Sequence, residues 1–259
     1  MQISKVQTAA DEIARARLGG QRLAPLHGFL RPADEAAAYD VQAATHERLV
    51  PVFGPRVGYK IACTTAVMQQ YLGVPNPCSA GVFERGVHAS GVTLPFDDYR
   101  CIGVECEIAV RLGSDIAGPD FSPEAVGKAV AACMAAIEIV DDRYEDWRNT
   151  DTPTLIADDF FAAGCVLGAP AEKPADMSAL VGVTTINGAE VGRGAGTDVM
   201  GHPLNALSWL ASSRAARGMP LRAGEVVLLG SLVETKWLAR GDHVVVEVGG
   251  LGRAEMTVR

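Results

Sequence analysis

Four side chains could share one piece of chemistry. Glu105 and Glu107 stand two residues apart in Gly103-Val104-Glu105-Cys106-Glu107-Ile108-Ala109-Val110-Arg111-Leu112. Glu138 sits alone among Ile137, Ile139 and Val140. Lys60 is flanked by apolar residues in Val57-Gly58-Tyr59-Lys60-Ile61-Ala62. Side chains on a strand repeat every two residues, so both glutamates of the first stretch face one way. Val104, Cys106, Ile108, Val110 and Leu112 face the other way and form a core. Two like charges on one face repel unless a cation lies between them. The plain alternative is a solvated strand face. An unpartnered carboxylate inside an apolar strand is costly, so Glu138 must be exposed, paired or bound to a cation. Three carboxylates with no histidine or cysteine cluster nearby suit a hard cation, Mg²⁺ or Mn²⁺. Such a cation would leave room for the keto and carboxylate oxygens of a 2-oxo acid and would polarise them as a Lewis acid. A nearby ammonium would help hold the anionic substrate, and Lys60 is the candidate. A lone strand lysine is otherwise expected to be exposed.

Around these residues the elements alternate in type. Ser4 caps a helix over 4–18 with Val6, Ala10, Ile13 and Ala14 as its stripe, stopped by Gly19-Gly20. A second helix is expected from Asp34 to Leu49, ended by Pro51, Gly54 and Pro55. Lys60 belongs to a strand followed by a short helical segment, Ala66 to Leu72. The Gly- and Pro-rich stretch 73–91 reads as loops with short strands. After the Glu105 strand, Ser122 and Pro123 start a helix reaching Ala132 or Ala136, and Ile137–Val140 is a strand. Asp141–Asp146 reads as a polar loop. Thr154–Gly168 passes from loop into strand. Asn187-Gly188 marks a hairpin within 181–191. Gly192–Gly196 reads as a turn, because no strand-turn-helix context for phosphate surrounds it. Pro203–Arg217 is a helix, with His202 capping or packing. Strands follow at 225–229, 242–248 and 253–258. The division expected is a helical layer over 1–56 and a catalytic domain over 57–259.

Bulk properties narrow the function. The 259 residues are 48% hydrophobic and 21% charged, ordinary for a globular chain. Lysine plus arginine number 23 against 31 acids, a net charge of −8. That argues against nucleic-acid binding and against a basic membrane surface. The six cysteines form no metal-type or redox spacing and read as reduced thiols, with Cys106 and Cys133 as small core residues. Met1–Lys5 lacks the apolar core of a leader, and no apolar run reaches membrane-spanning length. A soluble cytoplasmic protein is expected.

The ordered segments carry a family resemblance. Lys60-Ile61 with Thr64, Gly73-Val74 with Pro77, Glu105-x-Glu107-Ile108-Ala109, Glu138-Ile139-Val140 with Arg143, Asp146-Trp147, Ile156-Ala157-Asp158 and Gly201-His202-Pro203-Leu204-Asn205-Ala206 with Trp209-Leu210-Ala211 together resemble the 2-keto-4-pentenoate hydratases. They also look like the sister 4-oxalocrotonate decarboxylases. Both are similar in core to the fumarylacetoacetate hydrolase superfamily. The resemblance runs from about Ala37 to the C-terminus. It implies an α+β fold: a mixed β-roll or sandwich core with flanking helices and a small helical N-terminal part, usually in homo-oligomers. It implies Mg²⁺ or Mn²⁺ on Glu105, Glu107 and Glu138, and Lys60 beside the substrate. Thr64, Asp158 and Ser231 are the expected substrate contacts.

The implied activity is hydration of a 2-hydroxy-2,4-dienoate to a 4-hydroxy-2-oxo acid, as in the catabolism of aromatic compounds. Decarboxylation of a vinylogous 2-oxo acid and a non-catalytic binding role are the alternatives. The chain also departs from the hydratase pattern. Cys78-Ser79-Ala80 stands where many members carry Asp-Phe-Gly, so an acid is missing there. Asp159-Phe160-Phe161 replaces an asparagine and small polar residues, and Asp141-Asp142 adds charge. If the phenylalanines face the pocket, they suit a bulkier or more apolar tail. If not, they are core residues and the added aspartates are solvated.

Overall fold

The computed structural model describes residues 4–259. The reading of the N-terminus as leaderless rests partly on Met1 to Ile3, which lie outside them. In chain order the main elements are α1 (Lys5–Leu18), α2 (Glu35–Phe53), β1 (Arg56–Ala62), α3 (Ala66–Leu72), β2 (Cys78–Phe83), β3 (Val87–Ala89), β4 (Val92–Leu94), β5 (Ile102–Leu112) and α4 (Pro123–Lys128). Then come β6 (Val130–Asp141), α5 (Thr152–Ala157), β7 (Ala162–Leu167), β8 (Val181–Ile186), β9 (Ala189–Ala195), α6 (Pro203–Ala216), β10 (Val226–Trp237), β11 (His243–Val248) and β12 (Gly252–Val258). Seven strands form one sheet in the order β2-β1-β10-β5-β6-β7-β3, and five form another, β4-β12-β11-β8-β9.

The large sheet curls until β2 lies against β7. Its inner face carries Val82, Ala109, Met134, Ala136, Cys165, Leu167, Val226 and Leu228, which meet across the curl in a single apolar cluster. Its outer face carries Val104, Cys106, Ile108, Val110, Ile137 and Ile139, which pack on the second sheet and on Leu207 and Leu210 of α6. The alternation of β5 thus separates two environments: the apolar set enters the main core, and Glu105 and Glu107 fall on the inner face with Ala109. α1, α2 and α5 share a separate cluster with Tyr144 and Phe160.

Several expectations change. α2 runs on through Pro51 to Phe53, and Gly54, at φ 78°, ends it. Pro51 falls in the last turn, where the missing N–H costs a single hydrogen bond. The helix after Pro123 stops at Lys128, and Val130–Ala136 is strand. The alanines there favour a helix locally, but pairing from Leu112↔Val130 to Glu107↔Ala136 overrides propensity. Residues 152–157 form a helix in place of a loop. Gly192–Ala195 is strand rather than turn. A Cβ on Gly194 would lie 1.7 Å from the Leu232 carbonyl oxygen, so glycine there lets β10 cross closely. Asp141 closes β6, and Arg143 is buried, so the acidic run is not a free polar loop. The expected caps at Ser4 and His202 are present; the His202 ring accepts from the Leu204 N–H at 3.0 Å. All six cysteines are free. Among the described residues no helix is long and apolar enough to cross a membrane.

Candidate active site

Adjacent central strands supply the three acids. Glu105 of β5 pairs directly with Glu138 of β6, and Glu107 pairs with Ala136 on β6 and Ser231 on β10. Directly opposed like charges are destabilising in a sheet, yet Glu107 and Glu138 are essentially inaccessible to solvent. One carboxylate oxygen from each acid lies within 4.8 Å of the others. Glu107 Oε2 accepts the Gly230 N–H at 2.8 Å, and Glu105 accepts the Thr235 hydroxyl. Glu107 Oε1 and Glu138 Oε2 have no hydrogen-bond donor, and Glu138 Oε1 has only its ion pair with Lys60. Burial drives the Glu105 carboxyl up to about 7, and Glu138 adds to the rise against the pull of Lys60 and Thr235. Burial, with Glu138 and Glu105, pushes Glu107 well above the carboxylate range. Buried oxygens without donors on three converging carboxylates are a poor resting place for negative charge alone. The donor set is all oxygen and hard, so a divalent cation such as Mg²⁺ or Mn²⁺ fits it.

Lys60 comes from β1, on the far side of β10. It is 4% exposed, which sets aside the plain alternative of a surface lysine. Its Nζ lies 2.8 Å from Glu138 Oε1 and donates to the Phe160 carbonyl at 2.7 Å. Burial alone would lower its affinity for a proton. The carboxylates of Glu138, Glu105 and Glu107 more than reverse that and hold it above the usual lysine range.

A cavity of about 460 Å³ opens over Lys60 and Glu105. Thr64 and Ser231, the expected substrate contacts, line it. The Ser231 hydroxyl donates to the Val233 carbonyl at 2.6 Å, so its free lone pair, rather than its proton, faces any ligand. Asp158 is a correction. It is absent from the cavity wall; it is fully buried, 2.8 Å from Arg143 Nε, in the support beneath the site. Cys78, at the position of the missing acid, is a buried β2 residue outside the wall. Phe160 and Phe161 both line the cavity, while Phe160 also belongs to the N-terminal core. Phe161 packs edge-on against Tyr144 and Trp147, with centroids 4.9 and 5.7 Å apart. Asp141 accepts the Arg100 and Cys101 N–H groups at 2.8 and 2.7 Å. Asp159 is buried and takes part in an ion-pair network. Neither is solvated surface.

Three contributors were missing from the sequence reading. Gly230 has φ 117°, and a Cβ there would lie 2.6 Å from Thr64 Cγ2. Only glycine can bring its N–H onto Glu107 while Thr64 closes over it. Its signal was a glycine interrupting a strand pattern. Thr235 sits five residues farther along β10. The third is the Phe160 carbonyl. Asp159, Phe160 and Phe161 all lie in the left-handed region, at φ 64°, 44° and 66°. That conformation costs non-glycine residues about 1–2 kcal/mol each, so the surroundings must impose it. No local pattern announces it.

A curled sheet carrying a buried three-carboxylate seat and an ammonium has the donors to hold a hard cation and, beside it, a small oxygen-rich anion. Residues 85–259 match the fumarylacetoacetate (FAA) hydrolase C-terminal family, and the chain belongs to it. It is 34% identical over 251 residues to the TodF product hydratase of Pseudomonas putida, covering 95% of this chain and 92% of that one. It is 32% identical to a 2-keto-4-pentenoate hydratase of Paraburkholderia xenovorans, with the same coverage. A 4-oxalocrotonate decarboxylase from Pseudomonas putida G7, complexed with magnesium and adipate, superposes with a TM-score of 0.93 at 26% identity, over 100% of this chain and 99% of that one. The family and these relatives support an enzyme of the hydratase type and the expected mixed fold.

Proposed function

We propose that the chain hydrates a 2-hydroxy-2,4-dienoate to a 4-hydroxy-2-oxo acid, with Glu105, Glu107 and Glu138 holding a divalent cation, Mg²⁺ or Mn²⁺. The cation would supply Lewis-acid polarisation of the 2-oxo and carboxylate oxygens. Lys60 balances part of the charge of the acid cluster. Two of its three N–H bonds are directed at Glu138 and Phe160. The third is left for the substrate or for a water, where it can donate a proton to the dienol carbon, recover one from the 2-hydroxyl as the ketone forms, and steer the water that adds at C4. Thr64 and Ser231 offer hydroxyl oxygens beside it.

The observation that carries this reading is the composition of the cavity wall. Among the described residues Lys60 is its one basic side chain. The remainder is apolar at Met68, Leu72, Trp147, Leu155, Phe161 and Trp237, with Asp198 and Glu234 as further acids. Such a wall suits a single carboxylate at the cation and an uncharged tail. Decarboxylation of an oxalocrotonate is the second reading, supported by the close structural likeness to the decarboxylase. Its substrate carries a second carboxylate, for which this wall offers no second cation.

An ultraviolet assay separates the two. Protein with Mg²⁺ is mixed with 2-hydroxypenta-2,4-dienoate, its alkyl-substituted forms and 4-oxalocrotonate. Metal-dependent loss of dienol absorbance without CO₂ is expected, and it should vanish in Lys60→Met. Release of CO₂ from oxalocrotonate would favour the decarboxylase. Inactivity toward the whole panel would remove both readings and leave a binding role.

A further inference from the structure

Among the described residues the left-handed turn at 159–161 holds the one backbone oxygen that accepts from the Lys60 ammonium, and Asp159 holds the turn. We propose that Asp159 is a positioning residue for Lys60. This rests on Lys60 being the substrate-facing amine.

The geometry forms a continuous chain. Asp159 is fully buried and absent from the cavity wall, so it cannot meet a substrate there. Its Oδ2 accepts from Arg17 Nη1 of α1 at 2.9 Å. The His46 ring of α2 places Nε2 2.8 Å from Oδ1. The Gly81 N–H of β2 donates to Oδ1 at 3.0 Å. Three elements from outside the turn therefore converge on one carboxylate. Burial by itself would favour protonation. His46, Arg17 and the Gly81 N–H outweigh it and keep the carboxyl well below its usual range.

Backbone bonds fix the flanks of the turn. Phe160 N–H donates to the Leu155 carbonyl at 2.9 Å, Ala162 N–H to the Asp159 carbonyl at 2.9 Å, and Asp141 N–H to the Phe161 carbonyl at 2.9 Å. A run of three left-handed non-glycine residues persists only when its neighbours over-determine it. A return of Phe160 to ordinary φ would turn its carbonyl away from Lys60. The ammonium would then lose one of its two anchors and pivot about Glu138. The anchoring lies 100 residues from Lys60 in sequence, and it ties the two N-terminal helices to the site.

Asp159→Asn keeps the shape but must present an N–H to one of three donors. Three measurements are made on it: steady-state turnover of 2-hydroxypenta-2,4-dienoate at saturating Mg²⁺, thermal melting, and Mg²⁺ affinity by calorimetry. A displaced catalytic group can cost on the order of 100-fold. The expected result is kcat lowered by about 10- to 100-fold, with KM and Mg²⁺ affinity within about twofold. In a Lys60→Met chain the same change should lower residual turnover no further, because both act through one group. His46→Gln, which can still donate, should keep the activity that His46→Leu loses. A crystal structure of Asp159→Asn supplies a readout independent of turnover: the Phe160 oxygen should move beyond about 3.5 Å, out of hydrogen-bond range of Lys60 Nζ. An intact 2.7 Å contact in that variant would overturn the proposal whatever the activity. So would full kcat in a folded Asp159→Asn protein while Lys60→Met is dead. If Lys60→Met stays fully active, it is the reading of Lys60 that falls.

Discussion

At the scale of single residues, the acid cluster sets stability against function. Glu105, Glu107 and Glu138 are held together by the sheet and repel one another when ionised. A carboxyl whose folded pKa is raised favours folding while protonated, and that contribution fades as pH climbs through the folded value. For Glu105 the window runs from the ordinary carboxylate value near 4.5 to about 7. Asp159, with its pKa depressed, contributes a constant amount across that window. The metal-free protein should therefore lose melting temperature as pH rises from about 4.5 to about 7. The rise in melting temperature on adding Mg²⁺ should grow over the same range, since protons and metal compete for the same oxygens. Glu107→Gln removes a carboxyl that the metal-free fold holds protonated at a cost that grows with pH. It should raise the melting temperature of the metal-free protein and abolish the Mg²⁺-induced rise. A Glu107→Gln protein that melts lower, and still responds to Mg²⁺, would show the carboxylate to be structural.

At the scale of elements, β5 is the strand that does two jobs. Its outer residues bind the core and its inner residues face the site. Ile108→Ala should cost about 2–5 kcal/mol of stability, with Mg²⁺ affinity unchanged because Ile108 points away from the acids. A parallel loss of Mg²⁺ affinity, measured on folded protein, would mean the two faces are not independent. This strand was fully legible in the sequence because its period of two is unbroken from Val104 to Leu112. The hairpin at Asn187-Gly188 and the helix from Pro203 were legible for equally local reasons. β6 was half legible: Ile137–Val140 reads as strand, but the alanines before it read as helix until β5 pairs with them. The depth of Lys60 was not legible at all. Burial of that lysine depends on a glutamate three strands away in the sheet and on a carbonyl 100 positions along the chain. The family resemblance named the acids and the lysine; it carried nothing about the left-handed turn, because this chain places Asp159-Phe160-Phe161 where its relatives are expected to differ.

At the scale of the molecule, charge decides how a substrate arrives. Counting formal charges, three glutamates, one divalent cation and one lysine sum to zero, so the proposed site has no net attraction of its own. The chain as a whole carries −8, and Asp198 and Glu234 stand in the cavity wall. An anionic dienoate therefore approaches against a repulsive field, in contrast to enzymes that steer their substrates inward. Raising ionic strength from about 0.01 M to about 0.1 M shortens the screening length from about 30 Å to about 10 Å. At fixed free Mg²⁺, kcat/KM for the dienoate should then rise, while kcat, measured on bound substrate, should hardly move. Replacing Glu234, which is exposed, with glutamine should reproduce part of that rise at low salt and flatten the remaining salt dependence. A kcat/KM that falls with salt would mean that the field at the cavity is positive, and that the cation and Lys60 together outweigh the acids around them.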